Sequence, residues 1–398
     1  MAASSRLGDK SSPKTSLINS KDNCRVAVKL IANGIVYRFL KRTGKACRLQ
    51  AISLEVTHRC VCRCCMCNIW RLSQEVPDLD LSVWTGLLSS PELTDLRELD
   101  ITGGEPFLRE DLTELLLWIC RAQPDHFPRL QTVAITTNGI LTEKILQSVN
   151  EVIGPMQARG IDLVLACGMD AVGTLHDQIR GYKGAWDKLS TTIAGLQTLR
   201  QSYANLILGI KTTIIPINVH ELDRIAGFAK GKDLFTIISP RIITANRFGN
   251  TALASDLAFD ADAQRSLRKF YQGQDFPWAG HREALLKYLE TGKMGKPCSA
   301  GFNTVFVRHT GDVYPCPVIP IALGNIKQDS LKGLLRSQAA RRFRRKVGSQ
   351  KECTTCTEPG LERLAWPFEG FTCLQWMNRM GSKEFDALAR HMGLYKYL

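Results

Sequence analysis

The chain has 398 residues, of which 44% are hydrophobic and 23% are charged, and its net charge at pH 7 is +14. This length and composition exclude a disordered chain and are sufficient for one large and one small globular domain. The absence of an apolar run of about 18 residues, and of the apolar core of a signal peptide, predicts a cytoplasmic protein.

Fourteen cysteines are distributed in groups along the chain. In a small secreted domain such a number indicates disulfides, but here the cysteines are grouped at spacings typical of metal ligands in a long chain. The sequence therefore predicts a reducing compartment and metal sites.

The first fifty residues are strongly basic, with eleven Lys or Arg against two acids, a balance of +9. Residues 1–20 are polar and are expected to be a disordered lead-in, and residues 21–50 are expected to form a basic amphipathic helix. Its apolar residues at helical spacing are Val28, Ile31, Ile35 and Phe39, and its cations are Arg25, Lys29, Arg38, Lys41 and Arg42. Two interpretations remain open: residues 24–42 contact an anionic membrane surface, or the apolar stripe packs across the bottom of the main domain.

Strand patterns and helix patterns alternate between residues 51 and 245. The strand patterns lie near 51–57, 97–102, 131–137, 161–167, 205–215 and 235–243, and helix patterns near 109–121, 141–152, 185–201 and 219–229 separate them. This alternation predicts an α/β domain of parallel βα units, in which functional residues lie at the carboxyl ends of the strands.

The motif Cys60-x3-Cys64-x2-Cys67 directly follows the first predicted strand. Three thiolates in one short loop can bind three irons of a [4Fe–4S] cluster and leave the fourth iron open to a small molecule. Zinc is the alternative, since Cys62-x2-Cys65 or Cys64-x2-Cys67 could supply half of a tetrahedral site.

Two further motifs follow strands: Ile101-Thr-Gly-Gly-Glu-Pro-Phe107 and Thr136-Thr-Asn-Gly139. Together with the cysteine motif and in this order, they make the region from about 51 to 240 resemble the radical S-adenosylmethionine (SAM) superfamily. The resemblance implies an open (βα)6 partial barrel, a [4Fe–4S] cluster whose open iron binds SAM, and an electron donor such as flavodoxin or ferredoxin. In that family SAM is cleaved reductively to a 5′-deoxyadenosyl radical, which abstracts a hydrogen atom from the substrate.

The same resemblance implies roles for residues around SAM. Gly103 and Gly104 would receive the amino group of its methionine moiety, and Glu105 and Pro106 would shape that turn. Met66 stands where many relatives carry an aromatic residue over the adenine, so apolar contact remains without stacking.

Four more residues complete the predicted site. Thr136 and Asn138 would hydrogen-bond the ribose or the methionine end of SAM, although Asn138 could instead serve only as a turn residue. Arg180 would pair with the SAM carboxylate, or form a surface ion pair. Cys167, at the end of a strand, is a candidate hydrogen-atom donor, although buried cysteines are usually inert.

A second cysteine group lies in residues 298–375, after a segment of linker and bridging helices at 246–297. A β-hairpin turning near 310–312 and a helix over roughly 329–346 would bring together Cys298, Cys316, Cys353 and Cys356. This part resembles the twitch or SPASM extension, which implies a fully ligated auxiliary [4Fe–4S] cluster; structural zinc is the alternative. Cys373 is either a further ligand, a reactive thiol or an inert one, and residues 376–398 are expected to form a C-terminal helix.

The predicted function is radical SAM chemistry that oxidises or otherwise modifies a small molecule or a lipid, with the auxiliary cluster accepting an electron. The alternative within the same chemistry is a maturase or epimerase of a ribosomally made peptide. A zinc-bound interaction protein is the non-enzymatic alternative, and nucleic acid is not an expected partner.

Overall fold

The structure is a computed structural model, and it describes residues 20–72, 76–273 and 279–398. Except for residue 20, the predicted disordered lead-in at 1–20 lies outside the described residues. The strands are β1 (Ala51–Glu55), β2 (Glu98–Thr102), β3 (Thr132–Thr137), β4 (Asp162–Gly168), β5 (Leu206–Ile214), β6 (Phe235–Pro240), β7 (Thr304–Val307), β8 (Asp312–Tyr314) and β9 (Gly324–Asn325). The helices up to the last parallel strand are α1 (Ser20–Thr43), α2 (Leu81–Leu88), α3 (Leu112–His126), α4 (Thr142–Ala158), α5 (Thr174–Arg180), α6 (Ala185–Ser202) and α7 (Leu222–Gly231).

The first six strands form the predicted parallel sheet. Each of β1 to β5 pairs in parallel with the strand that follows it in the chain. Their apolar residues are buried on both faces, as expected when helices cover the outside and side chains fill the inside of a curved parallel sheet. The α/β fold class and the six predicted strands are confirmed.

The C-terminal hairpin extends this sheet, which the sequence did not predict. The strand order is β6-β5-β4-β3-β2-β1-β7-β8-β9, with β7 parallel to β1 and with β8 and β9 antiparallel to their neighbours. Buried Glu55 at the end of β1 accepts from Arg308 Nε at 3.0 Å and lies 2.8 Å from Nδ1 of His309. The second domain is therefore joined to the first through the sheet and through a buried ion pair.

The remaining helices differ from the predicted ones at two points. They are α8 (Ala261–Gly273), α9 (Ala279–Thr291), α10 (Leu331–Arg336), α11 (Gln338–Arg345), α12 (Pro359–Glu369), α13 (Phe371–Met380) and α14 (Ser382–His391). The single helix expected near 329–346 is two, because Ser337 has an extended ψ of 160° and its hydroxyl caps the N–H of Ala340. The single helix expected over 376–398 is also wrong: Gly381, at φ +83°, separates α13 from α14.

The C-terminal segment covers the end of the barrel at which the strands begin. Glu98, the first residue of β2, is buried and forms ion pairs with Arg363 and Lys396. Burial would raise the pKa of Glu98, but the two cations outweigh it and lower that pKa to about 2. The opposite end, where the strands finish, is left for the predicted site.

Helix α1 packs on α11, α12 and α13, but through a different face from the predicted one. Leu30, Tyr37 and Leu40 are buried, whereas Val28, Ile31, Ile35 and Phe39 are exposed. The interpretation in which that apolar stripe packs across the bottom of the main domain is therefore wrong. The helix has a second apolar face, formed by Leu30, Tyr37 and Leu40, and this second face is the one that packs on the protein. Among the helices of the described residues, none has the length and apolar character of a transmembrane span.

Candidate active site

The cysteine motif lies at the carboxyl end of the parallel sheet, in the loop after β1. A cavity of about 190 Å³ is lined by Cys60, Cys64 and Cys67 together with residues at the ends of β2 to β6. The three predicted ligands therefore share one cavity with the other two motifs, as the order of strands and motifs predicted.

The backbone at Gly103 and Gly104 packs directly against the start of the cysteine loop. The N–H of Gly104 donates to the carbonyl of Thr57 at 2.8 Å, and the N–H of Glu105 donates to the carbonyl of Arg59 at 2.8 Å. A Cβ on Gly103 would lie 2.4 Å from the Thr57 oxygen, and one on Gly104 would lie 2.3 Å from the Arg59 oxygen. Glycine is thus required because two backbone segments approach too closely for any side chain.

Glu105 ties the glycine turn to the end of β3. Its carboxylate accepts from the Thr137 hydroxyl at 2.8 Å, from the N–H of Asn138 at 2.7 Å and from the N–H of Phe107 at 3.2 Å. Burial raises the pKa of Glu105 to about 7, although these three hydrogen bonds favour the ionised form. Beyond shaping a turn with Pro106, which begins a 3-10 turn, Glu105 connects the second motif to the third.

Thr136 and Asn138 both line the cavity. The side-chain oxygen of Asn138 accepts from the N–H of Ile140 at 2.9 Å, and its Nδ2 lies 3.9 Å from Sγ of Cys60. Asn138 is therefore a turn residue whose amide also faces a cysteine of the motif, so its two predicted roles are compatible.

Arg180 is partly buried, with 11% of its side chain exposed, and does not form the surface ion pair considered as its alternative. Its Nη2 lies 2.9 Å from Oδ2 of Asp170, and its Nη1 lies 4.0 Å from Sγ of Cys64. Asp170 in turn accepts from the N–H of Thr213 on β5 at 2.8 Å. The guanidinium is therefore fixed in the cavity wall beside the cysteine loop, where an anionic group could reach it.

Met66 lies in a small apolar cluster with Ala171, Ile179, Ile215 and Leu257. It is buried but also lines the cavity. Its placement fits the predicted apolar contact with an adenine ring.

Of the two cysteines left over by the motif, Cys62 is the one in the cavity, whereas Cys65 is exposed. The Cys62 side chain hydrogen-bonds to both Cys60 and Cys64. The hydrogen bond between Cys62 and Cys64 lowers the pKa of Cys64 to about 7. Burial acts in the opposite direction, and the positive charge of Arg180 adds to the lowering. The pKa of Cys60 is lowered as well, chiefly by Cys62, whereas burial raises the pKa of Cys67 to about 12. The loop thus favours a thiolate at two of the three predicted ligands.

Cys167 does not have the placement that a hydrogen-atom donor needs. Val164, Ala166 and Gly168 of β4 line cavities, and Cys167 lies between them on the opposite face, within the main apolar core. The prediction fails because side chains alternate along a strand, so the end of a strand does not fix which face a residue occupies.

Deeper in the barrel, a second cavity of about 430 Å³ shares Thr102, Thr136, Lys211, Arg247 and Glu358 with the first. Burial would raise the pKa of Glu358, but Lys211, Arg247 and Lys296 outweigh it and lower that pKa. Sequence reasoning missed these side chains because they come from three distant segments without a shared motif.

The second cysteine group also surrounds a cavity. Cys298, Cys316, Cys353 and Cys356 line a space of about 90 Å³, and the hydroxyl of Tyr37 on α1 donates to the carbonyl of Cys298 at 2.8 Å. Cys373 lies elsewhere, buried in the main core on α13, so it is not placed as a ligand of this group.

Both groups have the donor chemistry of iron–sulfur clusters. In each, four cysteine side chains line a cavity: the three predicted ligands and Cys62 in the first, and the four predicted ligands in the second. Cysteine thiolates are the ligands of iron–sulfur clusters and also of structural zinc.

Comparison with known proteins agrees with this assignment. Residues 298–357 match the SPASM family, described as an iron–sulfur cluster-binding domain. The antilisterial bacteriocin subtilosin biosynthesis protein AlbA of Bacillus subtilis is 22% identical over 72% of this chain and 59% of its own length. The AdoMet-dependent heme synthase of Methanosarcina barkeri is 25% identical over 77% of the chain and 88% of its own length. The PqqA peptide cyclase of Rhizobium meliloti is 24% identical, with coverages of 81% and 82%.

Two solved structures share the fold. Streptococcus suis SuiB bound to S-adenosylmethionine aligns with a TM-score of 0.56 and 12% identity, covering 80% of this chain and 75% of its own. Histidine-tagged anSMEcpe with bound AdoMet aligns with a TM-score of 0.55 and 17% identity, covering 86% and 98%. The fold, the three-cysteine site and the second cysteine group are those of a radical SAM protein with an auxiliary cluster domain. The chain carries a SPASM domain at residues 298–357, and it is similar to radical SAM enzymes in sequence and in fold. It spans only 59% of the length of AlbA.

Proposed function

We propose that this chain is a radical SAM enzyme that modifies a peptide. The observation that carries the radical chemistry is the placement of Cys60, Cys64 and Cys67 around one cavity with the glycine turn at the carboxyl ends of the strands. When bound there, a [4Fe–4S] cluster with SAM would supply a reductively generated radical able to remove a hydrogen atom from the substrate, with flavodoxin or ferredoxin as electron donor.

The chain's own residues would bind and orient these groups. Cys60, Cys64 and Cys67 would hold the cluster, and Arg180, held by Asp170, would pair with the SAM carboxylate. Met66 would contact the adenine through its apolar side chain.

The glycine turn and the end of β3 would complete the SAM site. Gly103 and Gly104 keep the cavity wall free of side chains, so the amino end of SAM could approach the backbone. Thr136 and Asn138 would hydrogen-bond the ribose or the methionine end. Glu105 would act indirectly, by fixing the glycine turn to β3.

The SPASM domain would hold an auxiliary cluster through Cys298, Cys316, Cys353 and Cys356. Four protein thiolates leave no iron open to substrate, so this group would accept an electron or support the fold. Either role is compatible with an overall oxidation of the substrate.

The choice of a peptide substrate departs from the small molecule or lipid favoured by the sequence. It rests on the relatives: AlbA is named for bacteriocin biosynthesis, and the Rhizobium meliloti protein is named a PqqA peptide cyclase. The sheet is open, with β6 and β9 at its two edges, and the site cavity is lined by β6 and by Glu358 and Pro359.

A small-molecule substrate is the second candidate. The heme synthase matches along 88% of its own length, and the deeper cavity carries Lys211, Arg247 and Glu358, which could bind a polar metabolite.

One experiment separates these two candidates. Reconstituted anaerobic protein, SAM and reductant are incubated with peptides encoded beside its gene, or with a peptide-free metabolite extract from the host. The account predicts that a peptide increases 5′-deoxyadenosine formation and transfers deuterium to deoxyadenosine when labelled. The oxidised peptide should lose two hydrogens, one as the abstracted atom and the other as a proton whose electron passes to the auxiliary cluster. Stimulation by the metabolite extract alone would replace the peptide with a small molecule.

A further inference from the structure

We infer that the outer face of α1 is a docking surface for an anionic membrane. Five of the nine exposed large hydrophobic side chains among the described residues belong to this helix. They are Val28 (61% exposed), Ile31 (42%), Ile35 (60%), Val36 (53%) and Phe39 (54%). The other four lie singly, at Val76, Ile207, Ile217 and Ile321. Scattered apolar residues are ordinary on a protein surface, whereas a contiguous apolar stripe marks an interaction site.

The stripe is fixed on the outside because the opposite face of α1 is anchored. Asn33 Nδ2 donates to the carbonyl of Pro367 at 2.8 Å, and the Tyr37 hydroxyl donates to the carbonyl of Cys298 at 2.8 Å. Gly34 packs so closely on Phe371 that a Cβ there would lie 2.8 Å from its ring. Rotating α1 to bury the stripe would break these contacts.

The charge around the stripe identifies the partner. Arg25 and Lys29 lie along one edge of the stripe, Arg38 along the other, and Arg42 near its end, as the helical angle of 100° per residue places them. Arg38 also pairs with Glu369 at 3.4 Å, and Lys29 donates to the carbonyl of Leu398. No Asp or Glu occurs between residues 23 and 54. An apolar stripe with cations on both sides is complementary to lipid acyl chains bordered by anionic headgroups.

A second copy of this chain fits the stripe less well. Face-to-face pairing of two such helices would bring their like charges together. The stripe from Val28 to Phe39 is about 16 Å long, which suits a helix lying in the plane of the interface. The surface would hold the enzyme on a membrane with the radical site inside the barrel.

Flotation with lipid vesicles tests this inference. The full-length chain is mixed with vesicles of phosphatidylcholine alone or with added phosphatidylglycerol, at low and at high salt. The inference predicts binding to the anionic vesicles that weakens with salt and falls about tenfold in I35D/F39D. The control I217D removes an isolated exposed isoleucine and should bind as the wild type does.

Two further variants make the test decisive. V28D/I31D should repeat the loss at the other half of the stripe, and R25Q/R42Q should weaken binding and reduce its salt dependence. The inference would be overturned if the wild-type chain did not bind anionic vesicles, or if the I35D/F39D variant bound them as strongly as the wild type does. It would equally be overturned if sedimentation showed a dimer that I35D/F39D converts to monomer, because a second copy would then cover the stripe.

Discussion

At the scale of single residues, the glycine turn imposes the strictest steric requirement in the site. We predict that Gly104→Ala displaces the cysteine loop, because the new Cβ would meet the backbone oxygens of Arg59 at 2.3 Å and His58 at 2.6 Å. The free energy of unfolding should fall by about 2 kcal/mol or more, and iron retained after reconstitution should fall with it.

The matched control for this glycine is Gly86 in α2, where a Cβ would meet nothing within 4 Å. Gly86→Ala should stabilise the protein by about 0.5 to 1 kcal/mol, because alanine is the better helix former. Chemical denaturation of the metal-free protein and iron analysis of the reconstituted protein measure both effects. If Gly104→Ala and Gly86→Ala had the same free energy of unfolding and retained the same iron, the proposed steric requirement at Gly104 would be wrong.

His176 provides a pH-dependent test at the same scale. Burial, and then the charge of Arg180, lower the pKa of His176 from its ordinary 6.5 to about 3. Between these values the unfolded chain binds a proton that the folded protein does not, so stability decreases as the pH falls below about 6.5. We predict that metal-free wild-type protein loses more stability between pH ~8 and pH ~5 than His176→Gln, which removes this proton uptake.

Denaturation midpoints at several pH values provide the measurement for His176. Parallel curves for the wild type and His176→Gln would show that the imidazole is not held neutral in the fold. Glutamine is chosen because its side-chain oxygen could replace Nδ1, which accepts from the N–H of Asp170 at 3.2 Å.

At the scale of elements, the join between β1 and β7 determines how the two domains are held together. We predict that Arg308→Ala destabilises the protein by about 3 to 5 kcal/mol, because Glu55 would keep a buried charge without its guanidinium. Arg224→Ala is the control: its pair with Glu221 at 3.2 Å is a surface pair at the start of α7, where about 0.5 kcal/mol is expected. Urea unfolding compares them, and similar losses would contradict the proposed role of the buried pair.

The element scale also shows what the sequence can and cannot predict. The six parallel strands were predictable because their apolar runs alternate with amphipathic helices, and the three motifs were placed correctly because each follows a strand. The pairing of β7 with β1 was not predictable, since contact between segments some 250 residues apart leaves no periodic signal. The orientation of α1 was misjudged because both of its faces are apolar, and the pattern alone does not say which face is buried.

The limits within the site have the same cause. The cysteines and glycines were found because they belong to short motifs, and Arg180 because it continues the resemblance. Its partner Asp170, and the lining residues Lys211, Arg247 and Glu358, depend on how separate strands and loops converge. Cys167 was wrongly predicted to face the cavity, because a shift of one position along a strand moves a side chain to the opposite face of the sheet.

At the scale of the whole molecule, both cysteine groups are attached to strands of the same sheet. The first lies at the carboxyl end of β1, and the second flanks a hairpin whose strand β7 pairs with β1, with Cys298 before it and the other three cysteines after it. Helix α1 contacts the second group through Tyr37 and exposes its apolar stripe on the other side. Membrane docking and radical chemistry are therefore proposed for separate faces, and the docking variants should retain SAM cleavage.

The most direct test of the account is formation of 5′-deoxyadenosine from SAM by the anaerobically reconstituted full-length chain under a strong reductant. The account predicts that the wild type forms it and that the Cys60→Ala/Cys64→Ala/Cys67→Ala variant does not, although the variant retains iron bound by the second cysteine group. No deoxyadenosine from iron-loaded wild-type protein, or equal amounts from the triple variant, would contradict it.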